Sequence, residues 1–255
     1  MTYTIKELLL IFPVIYLSVY IFRYLILSFG ALGLTSLISK ERKIQSSREF
    51  TKHQILRELR HSLIAAVPLT LIVSIVYILG VYGLNKLYFN ISDYSVLWFF
   101  GQIFVLMIIL DFWFYVVHRI MHTKLVYKIV HKTHHLSTDP SPFAANSVHP
   151  TEAIFDFIFI VLTSLVLPLH PLAIFVFVNI SAIWSTIGHL GYEIFPRSFT
   201  KSIFGKYLNL ATVHNQHHKL FLYNFGYYTT IWDRIFGTLH PDTDKLIKIK
   251  SSSNY

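Results

Sequence analysis

Three short stretches place histidine in nearly one rhythm: His118 and His122 in HRIMH, His131, His134 and His135 in HKTHH, and His214, His217 and His218 in HNQHH. On a helix, spacings of three and four put side chains on one face, so each stretch can aim its imidazoles at a common point. Imidazole near neutral pH is a metal ligand when unprotonated, and three rings within a turn and a half form a costly cationic cluster if left unliganded. The pattern points to a metal site. Eight imidazoles exceed the four to six ligands, roughly, that one ion takes, so two ions are expected, with His149 and His189 as extra ligands. The chain has no cysteine, which excludes thiolate ligands, disulfides and thiol nucleophiles. Few acids lie near the histidines. Asp111, Asp139, Glu152, Asp156, Glu193 and Asp233 are read as acceptors that orient imidazole N–H groups.

The elements that must hold these residues are apolar. Of 255 residues, 54% are hydrophobic and only 14% charged, and the mean hydropathy is +0.52. Soluble domains carry about a quarter charged residues, so the composition indicates an all-α integral membrane bundle. Apolar runs at 8–37, 62–84 and 95–117 are each long enough to cross a bilayer, which takes about 20 residues. The block 153–188 is divided by Pro168, His170 and Pro171 into two shorter halves, and reads as a helical hairpin that spans or re-enters. The expected architecture is one membrane domain over 1–255, with about four spanning elements and a histidine-rich helical cap.

Between the first two spans, 40–60 carries seven Lys or Arg against three Glu and reads as a solvated loop followed by a basic interfacial helix. The net charge of +9 flanks apolar runs rather than forming a polar basic domain, so anionic lipid headgroups are its expected partner and nucleic acid is not. The Lys and Arg bias places 40–60, and with it the cap, on the cytoplasmic side. His53 and His61 fall outside the histidine stretches and are not counted as ligands; His170 belongs to the distal turn.

HRIMH, HKTHH, PSPFAANSVHPTEA, HLGYE, HNQHH and WDRIFGT occur in the order shown by the fatty acid hydroxylase and sterol desaturase superfamily. The chain resembles that superfamily over roughly 45–240, with the catalytic region at 100–240. PSPFAANSVHP and NFGYYTTIWDRIFGT resemble its sterol desaturase branch. The three intervening residues of HRIMH, against four in acyl-CoA desaturases, favour the hydroxylase branch over those desaturases. The resemblance implies an iron-dependent, dioxygen-using oxidoreductase that hydroxylates or desaturates a C–H bond of a sterol, fatty acyl or related lipid. It implies two non-haem iron ions held by His118, His122, His131, His134, His135, His189, His214, His217 and His218, with His149 added. No HPGG haem-binding motif is present, so the electron donor, of cytochrome b5 or ferredoxin type, is expected to be separate. Lipid is expected to enter from the bilayer between helices lined by aromatics such as Phe112, Trp113 and Tyr115. The membrane is that of the endoplasmic reticulum or a bacterial inner membrane. The competing reading is a histidine-rich membrane protein with structural zinc or a zinc-handling transporter. Ionisable groups at mid-membrane depth mark transporters, and here the histidines cluster at helix ends.

Overall fold

The structure, a computed structural model, describes residues 5–45 and 50–250; residues 46–49 of the basic segment lie outside them. Six helices of ten residues or more organise the described chain: α1 (Ile5–Thr35), α2 (Lys52–Val81), α3 (Val96–Met121), α4 (Pro150–Val166), α5 (Pro171–Gly188) and α6 (Ala211–Leu220). Extended pairing among the described residues is limited to three isolated bridges. The molecule is an all-α bundle.

Four helices are long and apolar enough to cross a membrane: 10–35 of α1, then α2, α3 and α5. Their outer faces carry Phe22, Leu97, Phe104 and Ile108, each more than 60% exposed. A contiguous apolar surface of that kind is untenable in water and is the normal lipid-facing surface of a multi-pass protein. The inner faces close on a core of Val76, Leu106, Leu110, Phe159, Ile160 and Phe177, which joins α2 to α5.

The helix boundaries depart from the sequence reading in two places. The basic interfacial helix and the second span are a single helix, Lys52–Val81. Its 30 residues extend about 45 Å, well beyond an apolar slab of about 30 Å. The Thr51 side chain starts it by accepting the Gln54 N–H at 3.1 Å, so its charged first turns project past the apolar zone. The third span likewise continues to Met121, so HRIMH forms the last turns of α3.

The expected hairpin is α4 and α5, joined by 167–170. Both arms open with a His-Pro pair. Proline suits the first helical position and forces its predecessor to be extended, and His149 and His170 lie in that conformation and cap their helices. His170 Nδ1 accepts the Leu172 N–H at 3.1 Å and its Nε2 donates to the Phe89 carbonyl at 3.2 Å. The 82–95 loop is stitched to this distal turn through Lys86 to Ser164 and Tyr88 to Leu169, and α3 joins it through Gln102 Oε1, which accepts the His170 N–H at 2.7 Å. With that end closed, the C-termini of α1, α3 and α5 and the N-termini of α2 and α4 all meet at the other end. The histidines gather there.

Candidate metal centre

Nine histidines form two adjacent groups. His118, His122, His131, His135 and His217 make one; His134, His189, His214 and His218 make the other, and within each group the ligand nitrogens all lie within 4.8 Å of one another. Only the HRIMH pair stays together. HKTHH and HNQHH are divided: in each, the residues four apart share a group and the one three along crosses to the other. HNQHH achieves this on α6, whereas HKTHH does so on a π-helical turn at Tyr127–His131 followed by a 3-10 turn at His134–Leu136. The expectation that each stretch aims at one point therefore holds for HRIMH, and the other two straddle both groups.

The second nitrogen of each ring determines what the first can do. His118 Nδ1 donates to the Phe225 carbonyl at 2.9 Å, His189 Nδ1 to Ser185 at 2.7 Å, His217 Nδ1 to Tyr223 at 2.6 Å and His218 Nδ1 to Ser137 at 3.0 Å. His131 Nδ1 donates to Glu152 Oε1 at 2.7 Å. A carbonyl oxygen only accepts, so these contacts put the ring proton on Nδ1 and leave Nε2 as a bare lone pair. The Nε2 atoms converge: His118 to His131 and His131 to His135 are 3.0 Å apart, and His217 to His135, His214 to His189 and His218 to His214 are 3.1 Å apart. Between His118 and His131, both protonated on Nδ1, the facing lone pairs have no proton between them and repel one another. A cation removes the repulsion, and a donor set made only of imidazole suits a transition metal.

Burial keeps the rings unprotonated. Desolvation lowers His189 and His217 to about 4, and desolvation followed by neighbouring imidazoles holds His131, His134, His135, His214 and His218 well below the usual value. At neutral pH no proton competes for these nitrogens.

His149 is not in either group. Its Nδ1 accepts the Thr151 hydroxyl at 2.7 Å and the Thr151 N–H at 3.4 Å, because the proline that follows makes it the cap of α4. Of the six acids named from sequence, Glu152 alone bonds an imidazole. Asp233 acts one step away: its two oxygens accept the Phe225 and Gly226 N–H groups at 2.8 and 2.9 Å, fixing the carbonyl that His118 uses. Gly226 permits this turn, since a Cβ there would stand 2.0 Å from the Thr229 carbonyl. Glu193 accepts the Thr212 N–H and hydroxyl at the start of α6, Asp111 holds 228–232, and Asp139 pairs with Lys219 at 3.2 Å.

The sequence reading missed Glu58, which lies fully buried in a segment taken as solvated. Its carboxylate accepts the Ser137 hydroxyl at 2.6 Å, the Ser141 hydroxyl and the Gln54 amide at 2.9 Å, and the carbonyl of the same Ser137 receives His218 Nδ1–H. A signal was present, because Glu58 is in phase with the buried stripe Ser62, Ala65 and Leu69.

A cavity opens from the histidines into the bundle, touching His131, His134, His189 and His214. The aromatics expected along it are elsewhere. Trp113 Nε1 bonds the Phe155 carbonyl, Phe112 packs on Trp232 and Tyr115 on Phe236; the helical phase of α3 instead turns Leu110 and Phe114, four apart, to the cavity. A second, almost wholly apolar cavity continues it toward the distal turn, sharing Tyr16, Val73 and Val178.

The fatty acid hydroxylase family matches residues 103–238, the stretch that holds both histidine groups. The chain is 31% identical over 228 residues to lathosterol oxidase of Rattus norvegicus, covering 86% of this chain and 72% of that protein. It is 32% identical over 229 residues to the Delta(7)-sterol 5(6)-desaturase of Leptosphaeria maculans, covering 85% of this chain and 59% of that one. No solved structure matches it. The chain belongs to the fatty acid hydroxylase family, in its sterol desaturase branch, and is a multi-pass membrane enzyme of the desaturase and hydroxylase kind.

Proposed function

We propose that this protein uses dioxygen and a histidine-bound pair of iron ions to desaturate or hydroxylate a C–H bond of a sterol drawn from the bilayer. The observation that carries the reading is the junction of two convergent Nε2 sets with one apolar cavity. Bound there, two iron ions supply the redox change that breaking an unactivated C–H bond requires and that zinc lacks.

The ligands would be His118, His122, His131, His135 and His217 for one ion and His134, His189, His214 and His218 for the other. Sets of five and four imidazoles would leave each ion able to accept a further ligand. The Nδ1 contacts of His118, His131, His189, His217 and His218 lock the tautomer and direction of those five rings before metal arrives. Leu110, Phe114 and Phe157 keep the adjoining cavity apolar and exclude water from the reacting carbon.

The histidine end carries Arg119, Lys124, Lys128 and Lys132 besides the 40–60 segment, whereas the distal 82–95 loop has Lys86 alone. That asymmetry supports a cytoplasmic cap, in an endoplasmic reticulum or bacterial inner membrane, where a separate cytochrome b5 or ferredoxin-type carrier delivers electrons. The relatives' names favour a sterol substrate.

The test is expression in a host lacking the activity, with a competent electron donor, and lipid analysis of wild type against His134→Ala in the presence of oxygen. A new oxidised or unsaturated sterol in the wild type alone supports the proposal. Identical lipid profiles with folded, iron-loaded protein would refute it, and stoichiometric zinc despite available iron would favour the structural-metal alternative.

A further inference from the structure

The wall of the first cavity carries polar groups besides the histidines. Where α1 faces α4, Tyr20, Arg23, Glu152 and Asp156 line its wall. Tyr20 is 4% and Asp156 9% exposed, and the Tyr20 hydroxyl, Asp156 Oδ1, Glu152 Oε2 and Arg23 Nε all lack a hydrogen-bond partner within the protein. The Arg23 guanidinium lies 5.1 Å from the Tyr20 ring centre. Unpaired polar atoms on a largely buried cavity wall are costly. They mark a ligand position rather than packing.

We propose that Tyr20, Arg23 and Asp156 form the seat for the hydroxyl group of a substrate alcohol, a large apolar body bearing one neutral OH. A hydroxyl both donates and accepts, so it satisfies the Asp156 carboxyl and the Arg23 or Tyr20 donors together. A carboxylate or phosphate would face the two acids, and an ammonium group would face Arg23. The apolar remainder of the ligand points away from the seat into the second cavity, between Phe12, Tyr77 and Ile174. Asp156 stands four residues beyond Glu152, about one helical turn or 6 Å, and Glu152 holds His131. The bond that reacts is therefore near the hydroxyl-bearing carbon and not on the tail.

This inference rests on the sterol reading above, and binding separates the two. Full-length protein in nanodiscs is titrated with a tritiated monohydroxy sterol and with its deoxy analogue, for wild type, Asp156→Ala, Tyr20→Phe and Phe12→Ala. Wild type should prefer the alcohol by about tenfold or more. Asp156→Ala and the conservative Tyr20→Phe should each reduce that preference to about twofold, while Phe12→Ala weakens both ligands alike and keeps the preference. Equal affinity for the two ligands in wild type, as expected if the seat holds only water, overturns the seat and leaves the sterol reading standing. So does a preference that survives both Asp156→Ala and Tyr20→Phe. A wild type that binds neither ligand overturns the sterol reading and the seat with it. Product analysis gives an independent check, because oxidation at the end of the tail contradicts the orientation.

Discussion

His217 and His218 are neighbours in sequence yet serve different histidine groups, their rings nearly perpendicular at 83° and 5.9 Å apart. Successive side chains on a helix diverge by about 100°. That divergence lets one short helix brace both sites, so the two groups are built as one unit.

Iron content should expose this division. His218→Ala is expected to lower iron from two to about one ion per chain by elemental analysis, and His217→Ala to weaken the other position, with turnover lost in both. Loss of all metal in each single variant would show that the two sites fill only together.

Glu58 should matter although it touches no imidazole. Glu58→Ala leaves the Ser137 and Ser141 hydroxyls without their acceptor and frees the carbonyl that orients His218. The expected outcome is a loss of about 1–3 kcal/mol in stability, read as a lower melting temperature, with weakened metal retention. An unchanged melting curve and unchanged metal content would contradict this role.

Glu152→Gln replaces the carboxylate that accepts His131 Nδ1–H at 2.7 Å. Removing such an orienting partner typically reduces metal affinity or activity about 10–100-fold. Competition with a chelator, compared with wild type, measures the change.

His149→Ala is the contrasting case. It removes the α4 cap formed with Thr151 and should cost about 0.5–2 kcal/mol of stability, while the metal content stays that of wild type. His53→Ala and His170→Ala are likewise expected to retain most activity. Metal loss on His149→Ala would return that residue to the ligand set.

Gly226→Ala should destabilise strongly, because its Cβ would overlap the Thr229 carbonyl. The shift of that turn would also displace the Phe225 carbonyl from His118, so the yield of folded protein in the membrane fraction and its metal content should fall together.

Much of this protein was determined by sequence alone. Apolar runs of membrane-spanning length, with Lys and Arg collected at one end, dictate a helical bundle, because a bilayer leaves the backbone few ways to satisfy its hydrogen bonds. Histidine type and spacing likewise identified the residues that meet, since i and i+4 side chains on a helix share a face. Tertiary structure decided how they are shared out. The division of HKTHH and HNQHH depends on a π turn, a 3-10 turn and the angle at which α6 meets the bundle, none of which a local spacing encodes. The exclusion of His149 followed from Pro150, a local signal outweighed in the reading by residue type. Four of the ring protons are held by backbone carbonyls, which every residue carries and no sequence distinguishes, so only the folded chain shows which ones are in reach. Glu58, Tyr20 and Asp156 acquire their roles from helices that approach across the bundle, where burial makes an unpaired polar atom significant.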